Sequence, residues 1–159
     1  EVVLYNPSAY TAGSITQLDP ELVLNSLMQT AYGAFLVAQQ AAIAMQQLGG
    51  GALFFTGATA SVKGFPNFAP FAMGKFALRG LAQSLARELG PQNIHVAHFI
   101  IDGSIAAPGR DLTSADSSSN ADDAELEPDA IAQTYMAILK QHRSAWTHEV
   151  DLRPWTENF

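Results

Sequence analysis

Residues 71–90, FAMGKFALRGLAQSLARELG, place Phe71 four positions before Lys75. On a helix that spacing puts both side chains on one face. It is the spacing at which a lysine ammonium can tune a tyrosine hydroxyl for proton transfer. The ring here is phenylalanine, which has no proton to give. Leu78, Leu81, Leu85 and Leu89 follow at helical intervals, and Gly90-Pro91 ends the run. The stretch therefore predicts a helix from about Phe71 to Leu89 that is built like a catalytic support but lacks its acid.

Working outward, Val2–Tyr5 reads as a buried strand ended by Asn6-Pro7-Ser8. Asp19-Pro20 pairs an N-cap with a proline suited to the first helical turn. Leu24, Leu27, Met28, Ala31, Phe35, Ala38, Ala42 and Met45 carry helical spacing as far as Leu48, and Gly49 stops it. Ala52–Thr56 predicts a short buried strand, followed by a loop over 57–70 with Gly, Pro and Asn punctuation. Ile94–Ile101 predicts another strand, turned by Asp102-Gly103. Pro128 restarts a helix to about His142, and Trp146–Leu152 reads as the last strand. The order β-α-β-α-β-α-β implies an α/β fold with a parallel sheet and right-handed crossovers.

The chain of 159 residues is 48% hydrophobic, enough for a real core in one domain over 1–159. Cysteine is absent, which excludes disulfides and thiolate zinc sites. No segment has the composition of a signal peptide, and no apolar run reaches the roughly 18–20 residues of a membrane span. The net charge of −7 is local: Asp111, Asp116, Asp122, Asp123, Glu125, Glu127 and Asp129 share a stretch without lysine or arginine. Residues 104–127 have no sustained period and few large apolar residues, so a flexible acidic, lid-like loop is expected there. Without a basic stripe, nucleic-acid binding is not expected. His95 and His98 alternate along a strand and face opposite sides, so no metal site is expected.

From Leu22 through Val62 no residue is charged. A helix with a wet face normally carries charge on it. The helix over 20–48 is therefore expected to be covered twice, by its own sheet and by a partner. A neutral surface made from Gln29, Gln39, Gln40, Gln46 and Gln47 is the alternative.

The segments GGGALFFTGATAS (49–61) and GFPNFAPFAMGKFALRGLAQSLARELGPQNIHVAHFIIDG (64–103) resemble the short-chain dehydrogenase/reductase family. The resemblance extends from VVLYNPSA (2–9) to AWTHEVDLRP (145–154). It implies a Rossmann-type doubly wound parallel sheet, an NAD(P)-dependent oxidoreductase and a cytoplasmic protein. It also implies a homodimer or homotetramer formed through helices at about 20–48 and 66–89. Family members open with a strand and a Gly-x-x-x-Gly-x-Gly turn that seats the pyrophosphate on a helix N-terminus. The chain has no such motif, and Gly49-Gly50-Gly51 lies between a helix and a strand, the wrong order for a phosphate cradle. The chain reads as the C-terminal half of the fold, without the glycine-rich first half.

The family reaction uses a tyrosine, a lysine, a serine and a helix asparagine. The resemblance assigns the lysine to Lys75, which is retained. It assigns the other three positions to Phe71, Ala58 and Thr30, all substituted. Thr59 and Ser61 are candidate substitutes for the serine, although side chains at adjacent positions are expected to point elsewhere. For the cofactor, the resemblance implies Lys75 on the ribose and backbone contacts from Gly103, Ser104 and Ile105. Asn6 matches a family asparagine that secures the central strand. Asp102-Gly103 stands where the family has Pro-Gly, and Ala107 where a threonine is expected. The expected protein is thus an NAD(P)-dependent oxidoreductase with an impaired site. The alternative is a non-catalytic module for dimerisation or ligand sensing. The sequence names no substrate.

Overall fold

The computed structural model describes residues 1–106 and 124–157. Four parallel strands form one sheet in the order β1 (Val2–Tyr5), β2 (Gly51–Thr56), β3 (Ile94–Ile101) and β4 (Glu149–Leu152). The register pairs Val2 with Ala52, Phe54 with Ala97 and Ile100 with Asp151. All of β3 is buried, as befits an inner strand covered on both faces. The outer edge of β1 pairs with no strand among the described residues, and Val2 and Leu4 stand half-exposed there. The acidic loop expected over 104–127 lies mostly outside the described residues, which resume at Ala124. Its two ends meet where Ala106 N–H donates to the Leu126 carbonyl at 2.9 Å and Leu126 N–H donates to the Ser104 carbonyl at 2.8 Å.

Helices α2 (Gly33–Leu48) and α3 (Ala69–Leu89) cover one face of the sheet, over Tyr5, Leu53, Phe55, Ile94 and Val96. Helix α4 (Pro128–Leu139) covers the other face, over Ala52, Phe54, Ala97, Phe99 and Ile101. Two boundaries differ from the sequence reading by three residues each. Helix α4 ends at Leu139 instead of His142, and β4 begins at Glu149 instead of Trp146. The Gln141 side chain accounts for both differences. It accepts from Thr147 N–H and donates to Thr147 Oγ1, each at 2.7 Å, which pins a turn across the junction. Trp146 then stacks flat on His95, with ring centroids 4.7 Å apart, and does not enter the sheet.

The helix expected over 20–48 is interrupted. Helix α1 (Pro20–Leu27), whose Glu21 N–H is capped by Asp19 at 2.9 Å, runs through a π-helical turn at Met28–Tyr32 into α2. Its inward row is small: Ser26, Thr30, Ala34, Ala38 and Ala41, then Met45. Its larger residues Leu24, Met28, Phe35, Leu36 and Ile43 face outward. The apolar repeat legible in the sequence mixes the two rows. Small inward residues let the helices pack closely, and at Gly74 of α3 an added Cβ would stand 3.0 Å from Thr30 Cβ.

Candidate active site

Ligand sites in open parallel sheets lie beyond the carboxyl ends of the strands, and the family-position residues gather there. Lys75 enters from α3, is 3% exposed and donates from Nζ to the Thr56 carbonyl at the end of β2, at 2.8 Å. Burial disfavours its charged form and lowers its pKa to about 8. No carboxylate pairs with it among the described residues. The Phe71 ring lies one helical turn back, its centroid 5.9 Å from Lys75 Nζ. The helix thus brings together the two residues that the sequence placed on one face.

The other positions that the resemblance assigns have partners of their own. Thr30 sits in the π-helical turn, buried against Gly74, and its Oγ1 accepts from Ala9 N–H at 3.2 Å. Single π-turns inside helices often mark functional sites. Ala58 is extended and half-buried in the segment after β2, and its N–H donates to Ser61 Oγ at 3.1 Å. Ser61 is fully buried, with its hydroxyl engaged in that local bond. Thr59 keeps some exposure and donates its hydroxyl to Asp102 Oδ1 at 2.5 Å. Asp102 also lies 3.4 Å from Arg153 through Oδ2.

The cofactor-position residues divide. Gly103 takes φ +147°, and an added Cβ would stand 2.8 Å from Pro154, so a side chain has neither the backbone nor the room there. The Ser104 carbonyl is used by Leu126, and the bridge leaves the peptide groups of Ile105 out. Asn6 lies exposed beyond β1, with no side-chain hydrogen bond to another described residue. Among the described residues, no group of His, Asp and Glu could hold a metal ion, and no helix is long and apolar enough to cross a membrane.

Two features of the site were not singled out from sequence. The first is Tyr10, whose ring centroid lies 5.1 Å from Phe71 and 5.4 Å from Phe68. Its position past the end of a parallel strand was a signal that went unused. The second lies beneath the site, where His98 Nδ1–H donates to Glu149 at 3.0 Å. Arg79 grips the same carboxylate through two bonds, at 2.8 and 2.7 Å.

Helices on both faces of a parallel sheet define a Rossmann-type α/β scaffold, with a buried lysine beside an aromatic ring at its carboxyl edge. A family model described as enoyl-(acyl carrier protein) reductase matches residues 3–150, and the chain belongs to the short-chain dehydrogenase/reductase family. It is 30% identical over 108 residues to trans-4-hydroxycyclohexanecarboxylate dehydrogenase of Sinomonas cyclohexanicum, covering 68% of this chain and 41% of that protein. A short-chain dehydrogenase from Rhodopseudomonas palustris superposes with a TM-score of 0.80 at 36% identity, over 98% of this chain and 62% of its own. An alcohol dehydrogenase from the archaeon Thermococcus sibiricus, complexed with 5-hydroxy-NADP, superposes with a TM-score of 0.82 over 99% of this chain and 64% of its own. Its 18% identity makes that a likeness of fold alone. The chain spans less than two thirds of the length of each of these relatives.

Proposed function

We propose that this chain carries the lysine-bearing part of an NAD(P)-dependent oxidoreductase whose proton-transfer site is impaired. The observation that supports this is Lys75. An ammonium buried without a counterion is costly, and such perturbed groups concentrate at functional sites. Its neighbour at the tyrosine position is Phe71, so no phenol stands where the lysine would tune one. When bound, a nicotinamide cofactor supplies or accepts the hydride. Lys75 suits the ribose hydroxyls, because its only hydrogen-bond acceptor among the described residues is one carbonyl. Gly103, Ser104 and Ile105 offer backbone at the nicotinamide end. The 159 residues hold no glycine-rich turn for the pyrophosphate. By itself the chain should therefore not bind NAD(H) or NADP(H) measurably, and a micromolar dissociation constant by titration calorimetry would contradict this. The reading itself is tested in a longer form that includes a cofactor-binding part. There, Phe71→Tyr with Ala58→Ser should raise carbonyl reduction by about 10²-fold, the scale of general acid catalysis. A parent that already turns over as fast as the double variant would overturn it.

A second reading, a module for self-association, is supported by the outward rows of α1, α2 and α3. Leu24, Phe35, Leu36, Ile43, Met73 and Phe76 are all exposed, and α2 carries no charged residue. An apolar surface of this kind marks an interaction site, and a second copy of the chain offers the same surface. Phe35→Glu with Phe76→Glu should shift a dimer or tetramer to monomer by light scattering. A parent that is monomeric at working concentration would remove this reading.

A further inference from the structure

We infer that Tyr10, Phe68 and Phe71 form one wall of the substrate cleft, shaped for a flat cyclic ketone or the matching alcohol. The inference deepens the oxidoreductase reading and rests on it. Tyr10 is 71% exposed, which would ordinarily describe a loose surface ring. Its backbone is held from both sides. Ala9 N–H donates to Thr30 Oγ1 at 3.2 Å, and the Ala9 carbonyl accepts from Ser26 Oγ at 3.4 Å. Three residues further on, Gly13 N–H donates to the Asn67 carbonyl at 2.7 Å. The loop that bears Tyr10 is thereby tied to the π-helical turn at one end and to the entry of α3 at the other.

The ring itself leans on Phe71 at 59° and on Phe68 at 60°. Three rings tilted this way present a faceted apolar wall, and a planar ring can meet it by offset stacking or edge contact. A flexible acyclic chain matches those facets poorly and loses rotamer freedom on binding. The polar side of the cleft is set by Lys75, 5.9 Å from the Phe71 centroid, so an oxygen on the bound ring points toward that end. The wall also gives a reason for the residue at position 71. Phenylalanine keeps the aromatic surface that Tyr10 packs on while giving up the hydroxyl.

The test needs no cofactor. The chain, with ¹³C-labelled phenylalanine and tyrosine rings, is titrated with 1-indanone and with 2-nonanone, two ketones of equal carbon count. Indanone should move the Tyr10, Phe68 and Phe71 signals together and bind about fivefold tighter than nonanone. Tyr10→Ala should erase that preference. Tyr10→Phe should keep it, because the ring and not the phenol does the sorting. Tyr10 is exposed, so neither change threatens folding, and an unchanged circular dichroism spectrum would verify this. Shifts confined to Phe35 and Phe76 on the outer helical face would overturn the inference, as would equal affinity for the two ketones or a silent Tyr10→Ala. Failure of the underlying reading looks different. Indanone bound at the three rings, with no turnover in a longer cofactor-binding form even after Phe71→Tyr and Ala58→Ser, would leave the wall standing and remove the oxidoreductase. Equal turnover of cyclic and acyclic ketones, with Tyr10→Ala silent, would do the reverse.

Discussion

Lys75 and His98 are both basic, both buried on the face of the sheet under α2 and α3, and served very differently by their surroundings. His98 shares Glu149 with Arg79, so its charge or its N–H is answered. Burial nevertheless lowers its pKa, and its Nε2 faces Gly57 without a hydrogen-bond partner, which is the arrangement of a neutral ring donating from Nδ1. Gly57 is obligatory there, since an added Cβ would fall 2.3 Å from that nitrogen. Among the described residues, Lys75 receives one carbonyl and no carboxylate. On the function proposed above, the pair contrasts a structural buried base with a functional one. The first is neutralised or paired by its own fold, and the second is left to be answered by something else.

The strongest way to break this contrast is to remove Lys75 from a repaired site. In the longer form with Phe71→Tyr and Ala58→Ser, adding Lys75→Met should abolish the gain of about 10²-fold in carbonyl reduction. Retention of the gain in steady-state kinetics would mean that Lys75 has no part in proton transfer.

Stability gives the next test. The folded pKa of Lys75, about 8, lies below its ordinary 10.5, so the unfolded chain binds the proton more tightly. The resulting penalty is complete below about pH 8 and fades as pH rises toward 10.5. Lys75→Met should therefore stabilise the chain by about 2 kcal/mol at pH 7, with the advantage gone near the upper limit. Urea melts across that range measure it, and a pH-independent difference would contradict the assignment.

Glu149 should behave in the opposite sense. Its bond to Arg79, more than that to His98, holds its pKa below the ordinary 4.5. The stability it contributes is present above about that value and lost as pH falls through the folded pKa. Glu149→Gln should cost about 1–2 kcal/mol at pH 7, and the two melts should converge in acid. The smallest effect belongs to Thr30→Val, which removes the bond to Ala9 N–H for about 1 kcal/mol. Faster hydrogen exchange at Ala9 and Tyr10, with little change in α3, would mark the loss as local.

The strands and α3 were legible because each has one clear period or one short apolar run. The way α1 and α2 face was not. A stripe argument assumes that the largest apolar residues point at the sheet, but here Ala34, Ala38 and Ala41 do so while Phe35 and Leu36 point out. The charge-free run from Leu22 to Val62 raised the expectation of a doubly covered helix without saying which row lay inside. One consequence is that Ala38→Glu would disrupt the core and could not report on self-association. Within the site, Lys75 and Phe71 could be paired from spacing because a helix joins them. Tyr10 could not, because 61 positions separate it from Phe71 and only two hydrogen-bonded loops bring it there. Asp102 was noted only as a departure from Pro-Gly, and its bond to Thr59 crosses from β3 to the segment after β2.

The strand order β1-β2-β3-β4 follows the chain. Each new strand docks on the one made just before it, and none is threaded between earlier neighbours. Assembly can then proceed in the direction of synthesis, with one helical crossover to close at every step. The lysine site becomes complete in the same progression. The carbonyl of Thr56 is in place when β2 closes, and α3 delivers Lys75 to it before β3 has been made. His98, Arg79 and Glu149 join only when β4 arrives, so the network beneath the site is the last contact to lock and the first that a truncation after β3 would lose.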